Sequence, residues 1–142
     1  MADPGDMPVP SFAPAFTLEA AAGTALVVGR LATGGVRRQR SYVDGRFSGS
    51  GIEGASVSGG ETLLERPDGV IVVEAAFFVT LSGGAVLRLI GTGYETQSPF
   101  AGARMTLVVE ADEDGPWAAL TTRAFAGERP ADSSTLRIFA IE

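Results

Sequence analysis

The 142-residue sequence has no cysteine, histidine, lysine or asparagine, and all 11 of its basic residues are arginine. Without cysteine there is no thiolate nucleophile, no disulfide and no iron–sulfur cluster. Without histidine there is no imidazole base and no ordinary zinc site. Without lysine no Schiff base can form. Acid–base chemistry therefore falls to Asp, Glu or Tyr, or to a substrate group activated by Arg, and neither a cofactor nor a metal is expected. An arginine-only composition rich in alanine and glycine also fits a genome of high GC content.

Other classes fall away for want of sequence. No apolar run approaches the ~20 residues that span a bilayer. The opening MADPGDMPVP has neither a basic region nor an apolar core of a secretory signal, so a cytoplasmic location is expected. The net charge of -6 opposes binding to nucleic acid or to an anionic membrane, because either would need a basic field. Small molecules and proteins remain as partners. With 45% hydrophobic and 20% charged residues the chain is expected to fold as one domain over residues 11–142, preceded by a flexible segment, 1–10.

What is present is β-pattern. Nineteen glycines punctuate alternating or β-branched runs, the signature of sandwiches and barrels. The one helix-like string, Leu18-Glu19-Ala20-Ala21-Ala22, is cut by Gly23 and reads as the end of a strand that begins near Phe12. Further strands are expected at 25–32, 38–47, 55–57, 62–66, 70–81, 85–90, 104–110, 117–125 and 135–141. The reading is an all-β fold, a single antiparallel β-barrel of about eight to ten strands with little or no helix. The run from Val70 to Leu81 is apolar on both faces, as a strand covered on each side would be. With no amphipathic helix to cover its outer face, a homodimer is the expected assembly.

Several motifs have bland explanations. Gly49-Ser50-Gly51-Ile52-Glu53-Gly54 matches G-x-G-x-x-G, but Ala55-Ser56-Val57-Ser58-Gly59-Gly60 cannot supply the helix that would hold a pyrophosphate. A hairpin corner explains it better. Glu110-Ala111-Asp112-Glu113-Asp114-Gly115 resembles the start of a calcium loop, but Thr121 stands where a bidentate Glu belongs, so a solvated turn is expected. In Arg37-Arg38-Gln39-Arg40, alternation puts Arg38 and Arg40 on one face and Arg37 on the other; these arginines would clamp an anion or form surface ion pairs.

Glu74 is the sharpest anomaly, the only charge in a twelve-residue apolar strand. If buried, it must be paired or protonated, as a structural ion pair or as an acid–base group. Arg88 is the nearest candidate partner. A two-residue Gly83-Gly84 turn, the expected geometry, sets Arg88 opposite Val79 and on the other face; a Ser82-Gly83-Gly84 loop sets it opposite Phe78 on Glu74's face. Arg104, Arg123 and Arg137 are the alternatives. Tyr42, Tyr94 and Trp117 are either plain core or a polar-tipped lining for a ligand cavity.

Taken in order, Gly35-Val36-Arg37-Arg38, Gly45-Arg46-Phe47-Ser48-Gly49, Gly59-Gly60, Arg66-Pro67-Asp68-Gly69 and Gly84-Ala85-Val86-Leu87 resemble the bacterial domain-of-unknown-function family numbered 3237. The resemblance implies a β-barrel, expected to be dimeric and similar to the allene-oxide-cyclase and calycin-like barrels that hold small apolar ligands. It implies no settled activity. An acid-Ala-Arg-Tyr string expected of that family on the long strand reads here Glu74-Ala75-Ala76-Phe77, and the Asn and Arg expected before the hairpin's closing glycine read Gly91-Thr92.

The functional expectation is a cofactor-independent isomerase, cyclase or lyase for a small, largely apolar or aromatic ligand with a carboxylate or enolisable carbonyl, bound in the barrel lumen. Glu74 would be the acid–base, Arg38 or Arg37 the anion clamp, and Tyr94 or Tyr42 the hydrogen-bond donor. Arg88, Trp117 and Phe78 would complete the binding wall. The alternatives are a non-catalytic barrel that binds a small molecule and a dimeric structural domain whose lumen is filled.

Overall fold

The apolar–polar alternation emerges as eight antiparallel strands in a computed structural model, which describes residue 5 and residues 8–142. The strands are β1 (Phe12–Arg30), β2 (Val36–Gly49), β3 (Ile52–Glu65), β4 (Ile71–Thr80), β5 (Val86–Thr96), β6 (Gly102–Glu110), β7 (Phe125–Pro130) and β8 (Thr135–Ile141). Each pairs with the next and β8 returns to β1, closing an up-and-down barrel. Most of the segment expected to be flexible, 1–10, lies outside the described residues.

Fewer, longer strands form than the glycines suggested. Gly23 does not end β1 but sits in a register shift between Ala22 and Ala25. Gly59-Gly60 lies inside β3, where the neighbouring strands come too close for a side chain: a Cβ at Gly59 would collide with the Ala76 carbonyl and one at Gly60 with that of Arg40. The strand expected from Trp117 is instead a 3-10 turn, Ala118–Thr122, with β7 starting at Phe125. Ser50 and Gly51, at φ 48° and 91°, make the tight β2–β3 turn, so the G-x-G-x-x-G string is a hairpin corner.

The β4–β5 hairpin takes the register not preferred from sequence. Phe78 pairs with Arg88, and Leu81 N–H donates to Ala85 O while Gly84 N–H donates back to Leu81 O. The loop is thus Ser82-Gly83-Gly84, with Gly84 at φ 89°, the left-handed residue that three-residue hairpins require. Register then decides the fate of β4. Val73, Ala75, Phe77 and Val79 are buried inside, while Glu74 and Phe78 face outward and are exposed. The expectation of a buried Glu74 is therefore corrected. It stands between Thr62 and Thr92 on the outer surface, where water solvates it.

The lumen has two unlike halves. At the lower end, around the β2–β3 and β4–β5 turns and residues 111–124, it is packed solid with apolar side chains. Phe16 stacks on Phe47 with ring centroids 4.7 Å apart and lies 5.9 Å from Phe125, while Trp117 and Leu120 pack against this core. At the upper end, around the turns 31–35, 66–70, 97–101 and 131–134, the interior is charged.

Candidate active site

Among the described residues Glu61 is the only charged one in the buried core, at 0% exposure. The β2–β3 register sets it directly opposite Arg40, and Tyr42 follows two residues on, facing the same interior. From the far wall, Glu95 on β5 and Arg129 on β7 both pair with Ala103 of β6, whose methyl group leaves room above it for two long side chains. Strand alternation alone thus brings groups distant in sequence to one point.

The contacts converge on the Glu61 carboxylate. Arg129 Nη2 donates to Oε1 at 2.9 Å and to Oε2 at 3.1 Å. Arg40 Nη2 donates to Oε1 at 3.1 Å, and the Tyr42 hydroxyl donates to the same oxygen. Arg40 also lies 3.6 Å from Glu95 Oε2. Both guanidiniums flank the Tyr42 ring, 5.7 Å (Arg129) and 5.9 Å (Arg40) from its centroid, and Phe77 lies 5.7 Å beneath it at the boundary with the apolar half. Glu61 is completely enclosed, but the side chains of Arg40 and Glu95 keep 23% and 27% of their exposure.

That exposure is to a cavity of about 170 Å³ bounded by Arg40, Tyr42, Glu95, Arg129, Ser133 and Ser134, with Ala20 and Ala22 beside Tyr42 and Ser134. The strand lengths create its mouth. The β7–β8 hairpin turns at 131–134 while β1 and β2 run on to their turn at 31–35, so β8 accompanies β1 only from Phe12 to Glu19. Above that point the barrel wall has a notch.

Burial, and then the Glu61 charge, push the Tyr42 phenol above its ordinary pKa, so it stays protonated as a donor. For Arg40, burial works against the charged form, but Glu61, Tyr42 and Glu95 outweigh it and raise its pKa. Two fixed cations at the cavity wall suit an anionic oxygen, whether present in a substrate or developing in a reaction. Glu95 has one arginine contact and borders the cavity, whereas Glu61, held by two arginines, is suited to positioning them. Among the described residues no group of three or more acidic side chains stands together as a metal site would need.

Of the residues singled out from sequence, Tyr42 and Arg40 of the arginine run lie in this cluster. Arg38 shares the inward face but reaches the rim, 3.2 Å from Glu65. Arg37 pairs with Leu64 on the opposite face. Arg88 is outside, 2.9 Å from Glu110, with its guanidinium near the exposed Phe78 ring. Tyr94 is 54% exposed on the outer surface, and Trp117 closes the lower end, so the three aromatics line no common cavity. Arg104, Arg137 and Arg123, the other candidate partners of Glu74, pair with Glu128 and Glu142.

Glu61, Glu95 and Arg129 escaped notice because glycines break the alternation around them. Counting by twos from Val57 leads through Gly59 to Glu61 and Leu63, and from Phe125 through Gly127 to Arg129. A charge in step with buried residues was the available signal.

Over residues 10–139 the sequence matches the family of proteins of unknown function DUF3237. No curated protein matches it. Among solved structures, a protein of unknown function from Rhodopseudomonas palustris is similar, at 23% identity with a TM-score of 0.79, covering 96% of this chain and 100% of that one. One from Clostridium acetobutylicum is similar at 20% identity and TM-score 0.79, covering 94% and 100%. An enzyme from Penicillium herquei is similar at 17% identity and TM-score 0.77, covering 97% and 99%. Identities this low establish the shared barrel.

Proposed function

The chain belongs to DUF3237, a family whose shared property is its barrel, and from the site itself we propose a cofactor-independent enzyme acting in the upper cavity. It is an isomerase, cyclase or lyase for a small, partly apolar substrate carrying a carboxylate or an enolisable carbonyl. The observation that carries this reading is the convergence of Arg40, Arg129, Tyr42 and Glu95 on one cavity around a wholly buried Glu61. The similarity to a fungal enzyme of the same fold is consistent with it. At about 170 Å³ the cavity is smaller than the ~300–1,000 Å³ of common ligand pockets, so the substrate is small.

The chemistry follows from the positions. The Glu95 carboxylate removes a proton from the carbon beside a carbonyl; the C–H electron pair becomes the enolate C=C bond and the carbonyl π pair moves onto the oxygen. Arg40 and Arg129 hold the resulting enolate, as cationic donors aimed at developing charge do. Protonated Glu95 then returns its proton at another carbon, giving isomerisation, or the enolate expels or attacks a second group, giving elimination or ring closure. Glu61 and Tyr42 are positioning residues that keep both guanidiniums in place. Ala20, Ala22 and Pro130 offer an apolar wall to the rest of the molecule.

The test is proton exchange in D₂O, followed by NMR, on small 2-oxo and 3-oxo carboxylates such as acetoacetate. Enzyme-dependent deuterium uptake that disappears in Glu95→Gln supports the proposal; uptake unchanged by Glu95→Gln, or none above buffer with any compound, contradicts it. A second reading, binding without turnover, is favoured by the ion pairs that lock Glu61, and predicts saturable binding without exchange.

A further inference from the structure

The geometry of β1 points to a dimer: we propose that its unpaired upper half pairs antiparallel with the same segment of a second copy of this chain. The last backbone bond joining β1 to the β7–β8 hairpin is Ala20 N–H to Ser134 O. From Ala21 to Arg30, β1 has β2 on one side and, among the described residues, no strand on the other. Such an edge carries a row of backbone donors and acceptors that only another extended strand satisfies in register. Along it Leu26, Val27 and Val28 are 65%, 66% and 70% exposed. Consecutive residues point to opposite faces, so the ribbon shows apolar surface on both sides.

The charge pattern selects a second copy as the occupant. Between Glu19 and Arg30 the strand has no charged residue, so two copies meet there without the like-charge repulsion that a net charge of -6 imposes elsewhere. Antiparallel pairing of the segment with itself brings Glu19 toward Arg30 of the partner subunit, and the reverse at the other end. Both residues are exposed, and neither forms an ion pair among the described residues. Ala25, Leu26 and Val27 form the regular stretch where pairing starts; the register shifts on either side, between Ala22 and Ala25 and between Val27 and Gly29, are the irregularities that also serve to blunt edges, making a monomer the competing outcome. Since Ala20 and Ala22 line the cavity, the partner strand stands beside its mouth.

Sedimentation equilibrium on the full chain decides this across micromolar concentrations. The wild type is expected to be a dimer, and Leu26→Lys with Val28→Lys a monomer with an unchanged far-ultraviolet circular dichroism spectrum. Glu19→Arg and Arg30→Glu should each weaken the dimer about tenfold or more, and the two together should restore it. A monomeric wild type overturns the proposal, as does a dimer indifferent to these substitutions or a double charge swap no tighter than the single ones. None of the substituted residues touches Glu61, Arg40 or Glu95, so the result is independent of the proposed chemistry.

Discussion

The two halves of the lumen are built from the same eight strands on opposite physical terms. In the lower half Phe16, Phe47 and Phe125 fill the space with rings, each buried side chain contributing about 1.5–3 kcal/mol. In the upper half the same inward positions carry Arg40, Tyr42, Glu61, Glu95 and Arg129. Removing these charges from water costs several kcal/mol per ion, which their attraction returns only in part. The lower half accounts for why the barrel folds. The upper half adds little to folding that apolar residues would not supply better, and that is the reason to assign it a chemical role.

The largest effects should come from breaking each half. Phe47→Ala is expected to cost about 3–5 kcal/mol in urea unfolding, as truncation of a buried ring does. Glu61→Gln should cost a similar ~3–5 kcal/mol, since it strands two guanidiniums in a poorly solvated site. The contrast is sharpened by removing the cluster as a whole: Arg40→Met, Glu61→Leu and Arg129→Met together should recover most of that loss, or exceed the wild type by about 1–4 kcal/mol. A triple variant no more stable than Glu61→Gln would show that the charges hold the barrel together.

A smaller, more specific effect concerns Tyr42. In Tyr94→Phe it is the sole tyrosine, and absorbance at alkaline pH should show phenolate only above the ordinary phenol value of about 10. Because the folded-state pKa is raised, the associated stability is fully present below that value and falls as pH rises beyond it. Titration at the ordinary value would mean that the Tyr42–Glu61 contact does not persist in solution. Least affected should be Glu74→Gln, expected within about ±0.5 kcal/mol in urea unfolding because Glu74 is solvated on the outer face.

Glu74 and Glu61 also show where a single sequence misleads. The barrel was legible from glycine-punctuated alternation, and most turns from their residue types. Glu74 stood out because its strand is apolar on both faces, but counting by twos from Val73 or Phe77 already placed it outside. Glu61 follows two glycines, which have no side chains to mark a face, so only counting by twos across them from Val57 to Leu63 puts it inside, and its partners Arg40 and Arg129 come from other strands. The site is assembled across β2, β3, β5 and β7, and such long-range register is set by barrel closure, which no local pattern encodes.

The central claim, that function resides at the charged upper end, is tested most directly by NMR chemical-shift mapping with acetoacetate. Shifts confined to Ala20–Ala22, Arg40–Tyr42, Glu95 and Arg129–Ser134, and lost in Arg129→Met, are the predicted result. Shifts centred on the outer face around Glu74 and Tyr94, or at the lower end near Trp117, would contradict it.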